Sequence, residues 1–157
     1  MKKLIPILAI FLSSCAPAVI TGLSVIDSSC DLCIVEGELN GKKTYFLIDT
    51  GAGITTLDKN QSKAYSFTVT ERSPMDVGGF SNSIGSVTEA FDIKSIRISG
   101  IDIKESGIYS TDLGNLVRFI ENCAKKRISG IIGMPVLKRH QLVIDLSSDK
   151  LYKSASR

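Results

Sequence analysis

The stretch that decides the fold is Phe46-Leu47-Ile48-Asp49-Thr50-Gly51-Ala52-Gly53-Ile54-Thr55-Thr56-Leu57. Its large apolar residues predict a buried strand, and the strand delivers one carboxylate, Asp49, to a tight loop of small residues. A charge at the end of a buried strand is costly unless it is paired or used. Gly51 and Gly53 give the loop the freedom and space that a carboxylate facing a substrate needs. We therefore interpret this loop as a candidate active site.

Two other kinds of glycine loop do not fit the spacing. A dinucleotide-binding turn would require a third glycine at Thr56, and a phosphate-binding loop would require a Gly-Lys-Ser/Thr ending, whereas the next lysine is Lys59. A solvated turn between two strands is the remaining alternative, and the apolar run before Asp49 disfavours it.

Composition limits the classes of function. The 157 residues suit a single domain, and 19 Lys and Arg against 16 Asp and Glu give too little excess charge to indicate a nucleic-acid partner. The one histidine, His140, excludes a metal site built from several histidines, and the four cysteines lack the paired spacing of a zinc site. We predict no metal and no cofactor, and we expect His140 to be a partly exposed structural residue.

The N-terminus is predicted to be an export signal. Two lysines precede an apolar run that is too short to span a bilayer, and Leu12-Ser13-Ser14-Cys15 resembles a bacterial lipobox. We therefore expect residues 1–14 to be a lipoprotein signal peptide, residues 15–24 a tether acylated at Cys15, and residues 25–157 the domain. Ala16 next to Cys15 favours the outer membrane of the bacterial envelope, facing the periplasm. Cleavage of an ordinary signal peptide after Cys15 is the alternative.

The other cysteines are open to several interpretations. Cys30-Asp31-Leu32-Cys33 could form a disulfide in an exported protein, bind a metal or act in redox chemistry. It lacks the strand-to-helix setting of a thioredoxin motif, so a structural role or free thiols are favoured. Cys123 lies on the apolar stripe of a predicted helix, and a buried thiol is expected there.

Most of the remaining chain is predicted to form strands. Asn40-Gly41 between two apolar runs predicts a hairpin, and this hairpin aims Asp49. A polar, glycine-rich segment at 76–86 could be a surface loop, but its position relative to Asp49 favours a mobile hairpin that covers a substrate. Further strands are expected at Ser24–Asp27, Ile54–Leu57 and Ser66–Thr70, in a hairpin of Phe91–Ser99 with Ile101–Tyr109, and in a closing hairpin of Gln141–Leu146 with Lys150–Lys153.

One long helix is predicted at Asp112–Arg127, where apolar residues recur at helical spacing. Ser110 or Thr111 is expected to cap its start. It is followed by Ile128-Ser129-Gly130-Ile131-Ile132-Gly133-Met134-Pro135-Val136-Leu137, in which two adjacent isoleucines indicate a core strand and Pro135 opens a short helix.

Together, Leu47-Ile48-Asp49-Thr50-Gly51-Ala52, the glycine-rich segment and Gly130–Leu137 resemble the retropepsin-like aspartic proteases, specifically their single-domain bacterial members, from about Cys33 to Tyr152. The resemblance implies a small, mainly β, closed barrel with one longer helix and one short C-terminal helix. Two positions depart from viral members: Gly53 stands where an acidic residue is common, and Met134 where an arginine is common. The ion pair that braces the viral site is therefore missing.

The resemblance also implies a mechanism and its residues. Asp49, Thr50 and Gly51 would be catalytic, and Asp49 would act with a second carboxylate on a peptide bond. The chain has only one Asp-Thr-Gly, so the resemblance implies a homodimer that pairs two Asp49 side chains. A non-catalytic envelope binding or assembly module is the alternative, and a redox protein built on Cys30 and Cys33 is a third. Residues expected to contact a protein or peptide substrate are Ala52, Gly53, Gly78, Gly79, Phe80 and Ile132.

Overall fold

The computed structural model describes residues 21–70, 75–78, 84–104 and 107–154. These residues form a mainly β fold, as predicted, with three α-helices. The strands, numbered in chain order, are β1 Thr21–Asp27, β2 Cys33–Leu39, β3 Lys42–Asp49, β4 Thr56–Asp58, β5 Thr68–Val69, β6 Met75–Gly78, β7 Ile84–Phe91, β8 Ile96–Ile98, β9 Ile101–Ile103, β10 Tyr109–Thr111, β11 Ile128–Gly133, β12 Leu142–Asp145 and β13 Lys150–Lys153. The helices are α1 Ser62–Tyr65, α2 Gly114–Ala124 and α3 Met134–Arg139.

The strands pair along one path, in the order β12-β13-β1-β2-β3-β11-β4-β10-β7-β5, and β6, β8 and β9 branch from it. Strand β11 lies at the centre, parallel to β3 and antiparallel to β4. Its last residue, Gly133, is opposite Asp49. The two apolar segments singled out in the sequence are therefore neighbouring strands, and they end at the same place.

The hairpin of β2 and β3 is confirmed. Asn40 and Gly41 have positive φ values of 50° and 76°, the backbone conformation for which this dipeptide is favoured. The Asn40 side chain adds long-range contacts, because its Nδ2 donates to the Tyr65 carbonyl at 2.9 Å and its Oδ1 accepts from the Lys94 N–H at 2.7 Å. The turn is thus fixed to two distant segments, and β3 is held in register as it approaches Asp49.

The sheet buries apolar side chains on both faces. One cluster includes Phe46, Ile48, Leu57 and Ile132, and a second cluster lies beneath α2. Members of the second cluster are Ile34, Leu47, Val117, Ile120 and Ile128. Since successive residues of β3 enter different clusters, the strand is buried on both faces, in agreement with its continuous apolar sequence.

Helix α2 is shorter than the predicted Asp112–Arg127. Ser110 and Thr111 belong to β10 and do not cap the helix; instead Asp112 Oδ1 accepts from the Gly114 N–H at 2.8 Å. At the other end Lys125 takes a left-handed conformation with φ of 55°, which terminates the helix before the basic residues. The prediction was therefore too long by two residues at the start of the helix and by three at its end.

The prediction of a buried Cys123 thiol is wrong. Cys123 is exposed on α2 and forms a disulfide with Cys30, with 6.0 Å between their Cα atoms. Cys33 is free and packs against the first core cluster, whereas the next residue, Ile34, belongs to the cluster under α2. The Cys-x-x-Cys pair is therefore split: Cys33 packs against the core cluster that lies away from α2, while Cys30 is bonded to α2.

Other strand boundaries also shift. The predicted strand Phe91–Ser99 is divided, because β7 ends at Phe91 and Asp92 has a positive φ of 60° before β8 begins at Ile96. The hairpin of β8 with β9 and the closing hairpin of β12 with β13 are present. Strand β1 begins at Thr21, so it includes the last residues of the segment expected to be a tether. Among the described helices, none has the length and apolar character needed to cross a membrane.

Candidate active site

Asp49 is the last residue of β3 and is half-buried. Three buried apolar residues, Phe46, Leu47 and Ile48, precede it and fix the strand in the core. Strand β3 has a hydrogen-bonded neighbour on each edge, β2 and β11. The Asp49 carboxylate is thus presented at the end of a rigid, fully paired strand, while the next residues are exposed.

The loop after Asp49 is a tight turn closed by its own backbone. Asp49 Oδ1 accepts from the Gly51 N–H at 2.8 Å, and the Ala52 N–H donates to the Asp49 carbonyl at 3.2 Å. A Cβ on Gly51 would lie 3.2 Å from Asp49 Oδ1, so glycine lets the backbone amide approach the carboxylate. One carboxylate oxygen is oriented by this bond. Thr50, Gly51 and Gly53 are exposed, and Ala52 is half-buried.

The junction of β11 and α3 is hydrogen-bonded to this loop. The Met134 N–H donates to the Ala52 carbonyl at 2.9 Å, and the Gly133 N–H donates to Thr55 Oγ1 at 3.2 Å. A Cβ on Gly133 would lie 2.3 Å from the Ile54 carbonyl oxygen, so a side chain there cannot fit without moving the loop. Both bonds are made by uncharged groups, and they hold the loop in this chain.

Thr55 is a site residue that sequence reasoning missed. It is buried, with 3% exposure. Its hydroxyl oxygen accepts the hydrogen bond from the Gly133 N–H. Its signal in the sequence was a β-branched hydroxyl residue soon after the loop, and this pattern is equally typical of an ordinary strand.

The residues expected to contact substrate are separated by the structure. Ala52 and Gly53 lie in the loop with Asp49, but Ile132 is fully buried opposite Ile48, where it supports the loop from the core. Gly78 pairs with Ile84 where β6 and β7 form an antiparallel hairpin, so strand pairing is present within the predicted segment 76–86. Gly79 and Phe80 lie outside the described residues.

The base of this hairpin is anchored near the site. Thr111 Oγ1 donates to the Ser86 carbonyl at 2.8 Å, and β10 pairs with both β7 and β4. Since β4 follows the Asp49 loop directly in the chain, β10 connects the hairpin to the strand that leaves the loop. The base of the hairpin and the Asp49 loop are therefore connected through β10 and β4.

Asp58 is the one buried carboxylate among the described residues, and it has a structural role. With 1% exposure, it accepts hydrogen bonds from the Asn60 N–H at 3.2 Å, Gln61 Nε2 at 2.9 Å and the Leu113 N–H at 3.3 Å. These bonds join β4 to the start of α2. The described part of the chain also brings together no group of three or more histidine, cysteine or acidic side chains.

A groove of about 370 Å³ lies beside the loop. Thr50 forms part of its wall, and most of the remainder comes from α3 and β12, including Met134, Leu137 and Leu142. All four residues of β12 are half-buried, although β12 is the end strand of the sheet path. A larger cavity, of about 780 Å³, lies elsewhere, beside β2, Arg97 and Lys126, and Asp49 does not line it.

Comparisons with known proteins agree with this geometry. Residues 35–136 match the family described as Aspartyl protease. The structure is similar to that of a retropepsin-like aspartic protease from Rickettsia conorii, with 19% identity, a TM-score of 0.57, and coverage of 88% of this chain and 96% of that chain. The retroviral protease-like domain of Ddi1 from Leishmania major matches with 16% identity and a TM-score of 0.48, over 80% of this chain and 94% of that one. No curated protein matches the chain.

Proposed function

Because the chain belongs to the aspartyl protease family and has the retropepsin-like fold, we propose that it is an aspartic endopeptidase that acts as a homodimer. The observation that carries this proposal is the Asp49 carboxylate, which is oriented by the Gly51 N–H at the end of a buried strand while the adjoining loop is exposed. A purely structural aspartate would have its remaining acceptors engaged, as those of Asp58 are.

The proposed reaction uses one Asp49 from each subunit. Two carboxylates held close together share one proton, because both cannot be ionised at that separation. The ionised Asp49 takes a proton from water, the water attacks the peptide carbonyl carbon, and the protonated Asp49 donates to the carbonyl oxygen. Collapse of the tetrahedral intermediate then breaks the C–N bond as the amine nitrogen receives the proton that the first Asp49 took from water, and a hydroxyl of the intermediate returns a proton to the second Asp49. In this mechanism the Gly51 N–H bond keeps each carboxylate in position.

Dimerisation is supported by the absence of a second candidate catalytic carboxylate among the described residues of one chain. The sequence supplies one Asp-Thr-Gly, and the buried Asp58 is committed to structural hydrogen bonds. Thr50 is exposed next to Asp49 and lines a groove shared with the half-exposed end strand β12. A two-fold contact at this face would bring the two Asp49 loops together and bury Thr50 with its symmetry mate.

The decisive experiment measures peptide cleavage as a function of chain concentration. We expect specific activity to rise with concentration and to reach a plateau as the dimer forms. Asp49→Asn should abolish cleavage, and adding an excess of this variant to the unmodified chain should inhibit it through mixed dimers. Asp102→Asn, which alters an exposed carboxylate far along the chain, is the matched control.

Cleavage by Asp49→Asn at the normal rate would overturn the proposed mechanism. A strict monomer without activity at every concentration, on membranes as well as in solution, would instead favour a non-catalytic binding module.

We further propose that the mature protein is attached by a lipid on Cys15 to the outer membrane of a bacterial envelope, facing the periplasm. The support is the basic, apolar and Leu-Ser-Ser-Cys order of the first residues. Mass spectrometry of the mature N-terminal peptide tests this directly. An acylated Cys15 is expected, whereas an unmodified N-terminus after Cys15 would contradict lipid attachment.

A further inference from the structure

Two links join the end of α2 to the turn between β1 and β2. One is the disulfide of Cys30 with Cys123, and the other is the ion pair of Asp27 Oδ2 with Lys126 Nζ. The linked residues are three positions apart on each side. We call residues 27–31 the turn segment. The end of α2 and the turn segment are therefore held together at two neighbouring points.

The disulfide is the stronger of these links. No residue of 29–31 is buried, so apolar packing does not hold the turn segment in place. The side chains of Asp27 and Lys126 are 22% and 26% exposed, and a partly exposed ion pair contributes little to stability. The body of α2, by contrast, is anchored in the core by the buried Val117 and Ile120. Cleavage of the disulfide would therefore release the turn segment without detaching the helix.

The backbone of the turn segment is strained. Cys30 and Asp31 have φ values of 67° and 55°, and they are the only two consecutive non-glycine residues with positive φ in the described part of the chain. A residue with a Cβ seldom takes this conformation twice in succession, because the Cβ approaches the carbonyl oxygen. Such strain persists where the surrounding structure imposes it, and the disulfide constrains Cys30 directly. Breaking the bond would let both residues relax.

The linked segments also form part of the wall of the 780 Å³ cavity described above. Asp27, Ser28 and Ser29 line it from the turn segment, and Lys126 lines it from the end of α2. Lys126 Nζ lies 5.6 Å from the centroid of the Tyr45 ring, which also lines the cavity. The shape of the cavity therefore depends on the link between the two segments.

We propose that the disulfide of Cys30 with Cys123 is a redox switch, whose reduction by a dithiol releases the turn segment from the end of α2 and widens this cavity. Cys123 is exposed and Cys30 is half-buried, so a thiolate of the dithiol attacks Cys123 Sγ and Cys30 leaves as a thiolate. The second thiol of the dithiol then attacks the mixed disulfide and releases Cys123. The dithiol becomes a disulfide, and the protein gains the two electrons and two protons that the dithiol loses.

Hydrogen exchange of the oxidised protein and of the protein reduced with dithiothreitol, without denaturant, tests the switch. The amides of Ser29 and Asp31 are hydrogen-bonded within the turn segment, and the Val117 amide is hydrogen-bonded in the first turn of α2. We expect reduction to accelerate exchange more than tenfold at Ser29 and Asp31 and to leave Val117 unchanged. Unchanged exchange at all three amides would overturn the proposal. Acceleration at all three would also overturn it, because the disulfide would then hold the whole helix.

Cysteine variants establish which bond is responsible. Cys30→Ser with Cys123→Ser should show the exchange pattern of the reduced protein in the absence of dithiothreitol. Cys33→Ser, which removes the free thiol, is the matched control and should keep the oxidised pattern. A reduced pattern in the control alone would contradict the assignment. Peptide cleavage is measured separately, since the hydrogen bonds that hold the Asp49 loop involve neither linked segment.

The contribution of backbone strain has its own test. Asp31→Gly should lower the equilibrium constant for reduction by dithiothreitol about fivefold, because glycine takes a positive φ readily and the oxidised turn segment is then less strained. Asp31→Ala removes the same charge but keeps the Cβ, so it should not lower the constant. Equal constants for the two variants would show that strain at Asp31 does not favour reduction.

Discussion

Gly133 lies directly opposite Asp49 in the parallel pairing of β11 with β3. This register brings the second apolar segment of the sequence under the loop that carries the carboxylate. The Gly133 N–H then binds Thr55 on one side of the loop, and the next amide, from Met134, binds Ala52 on the other. The position of the carboxylate therefore depends on a strand about eighty residues later in the chain (Asp49 to Gly133).

The first prediction concerns the space at Gly133. Gly133→Ala should lower the free energy of unfolding by roughly 3 kcal/mol or more, because the new Cβ would meet the carbonyl oxygens of Ile54 and Ala52 at 2.3 and 2.8 Å. Chemical denaturation measures the change. Gly53→Ala in the same loop is the control, since a Cβ there meets nothing within 4 Å. Equal losses for the two variants would contradict the proposed steric role of Gly133.

The second prediction concerns the hydroxyl of Thr55. Thr55→Val keeps the shape of the side chain but leaves the buried Gly133 N–H without its acceptor, which should cost about 1–3 kcal/mol. We also expect a lower kcat for peptide cleavage, because the Asp49 loop loses a brace. Thr55→Ser should restore both properties. Faster hydrogen exchange at the Gly133 amide in the valine variant alone would identify the cause, and unchanged exchange would refute it.

The sequence was informative where the decisive interactions are local. The apolar run indicates a buried strand, the small residues indicate a tight loop, and Asn40-Gly41 indicates a hairpin turn. The hairpin and the position of Asp49 at the end of a strand were therefore predicted correctly. Thr55 could not be identified in this way, because its role depends on a partner, Gly133, from a distant strand. The pairing of Cys30 with Cys123 escaped prediction for the same reason.

The ends of α2 could not be predicted from the spacing of apolar residues. Helical periodicity indicated that a helix exists, but the predicted range 112–127 exceeds α2 by two residues at its start and three at its end. The hydrogen bond from the Gly114 N–H to Asp112 and the left-handed conformation of Lys125 lie at the observed ends, and apolar periodicity reports neither of them. Periodicity therefore identified the helix and overestimated its length.

The third prediction concerns the disulfide. Cys30→Ser with Cys123→Ser should lower the free energy of unfolding by roughly 2–4 kcal/mol, because the bond joins residues 93 positions apart and restricts the unfolded chain. Cys33→Ser is the control and should cost less, since the free thiol is only half-buried. Denaturation of the oxidised proteins makes the comparison. Equal stability of the double variant and the unmodified chain would show that the crosslink contributes nothing.

A related prediction follows from the surroundings of Cys33. Burial, followed by the negative charge of Asp149, raises the pKa of its thiol. Because the thiolate is the reactive form, alkylation of the native protein at pH 8 should be slower than that of an exposed cysteine. Asp149→Asn should lower the pKa and speed the reaction, while Asp31→Asn, an exposed acid on the neighbouring turn, serves as the control. Identical alkylation rates for both variants would contradict the assigned influence of Asp149.

The last prediction concerns Asp145, at the turn of the closing hairpin. Hydrogen bonds from the hydroxyls of Ser147 and Ser148, at 2.6 and 2.7 Å, lower the pKa of Asp145 from 3.8 to about 2. A carboxyl group whose pKa is lower in the folded state stabilises the fold above its unfolded pKa, and this contribution is lost as the pH falls from about 4 to about 2. Asp145→Asn should therefore lower Tm slightly at pH 7 and have little effect at pH 2. Thermal unfolding at both pH values measures the difference, and Ser147→Ala with Ser148→Ala should reproduce its sign. The same decrease in Tm at pH 2 and pH 7 would mean that Asp145 acts through its shape rather than its charge.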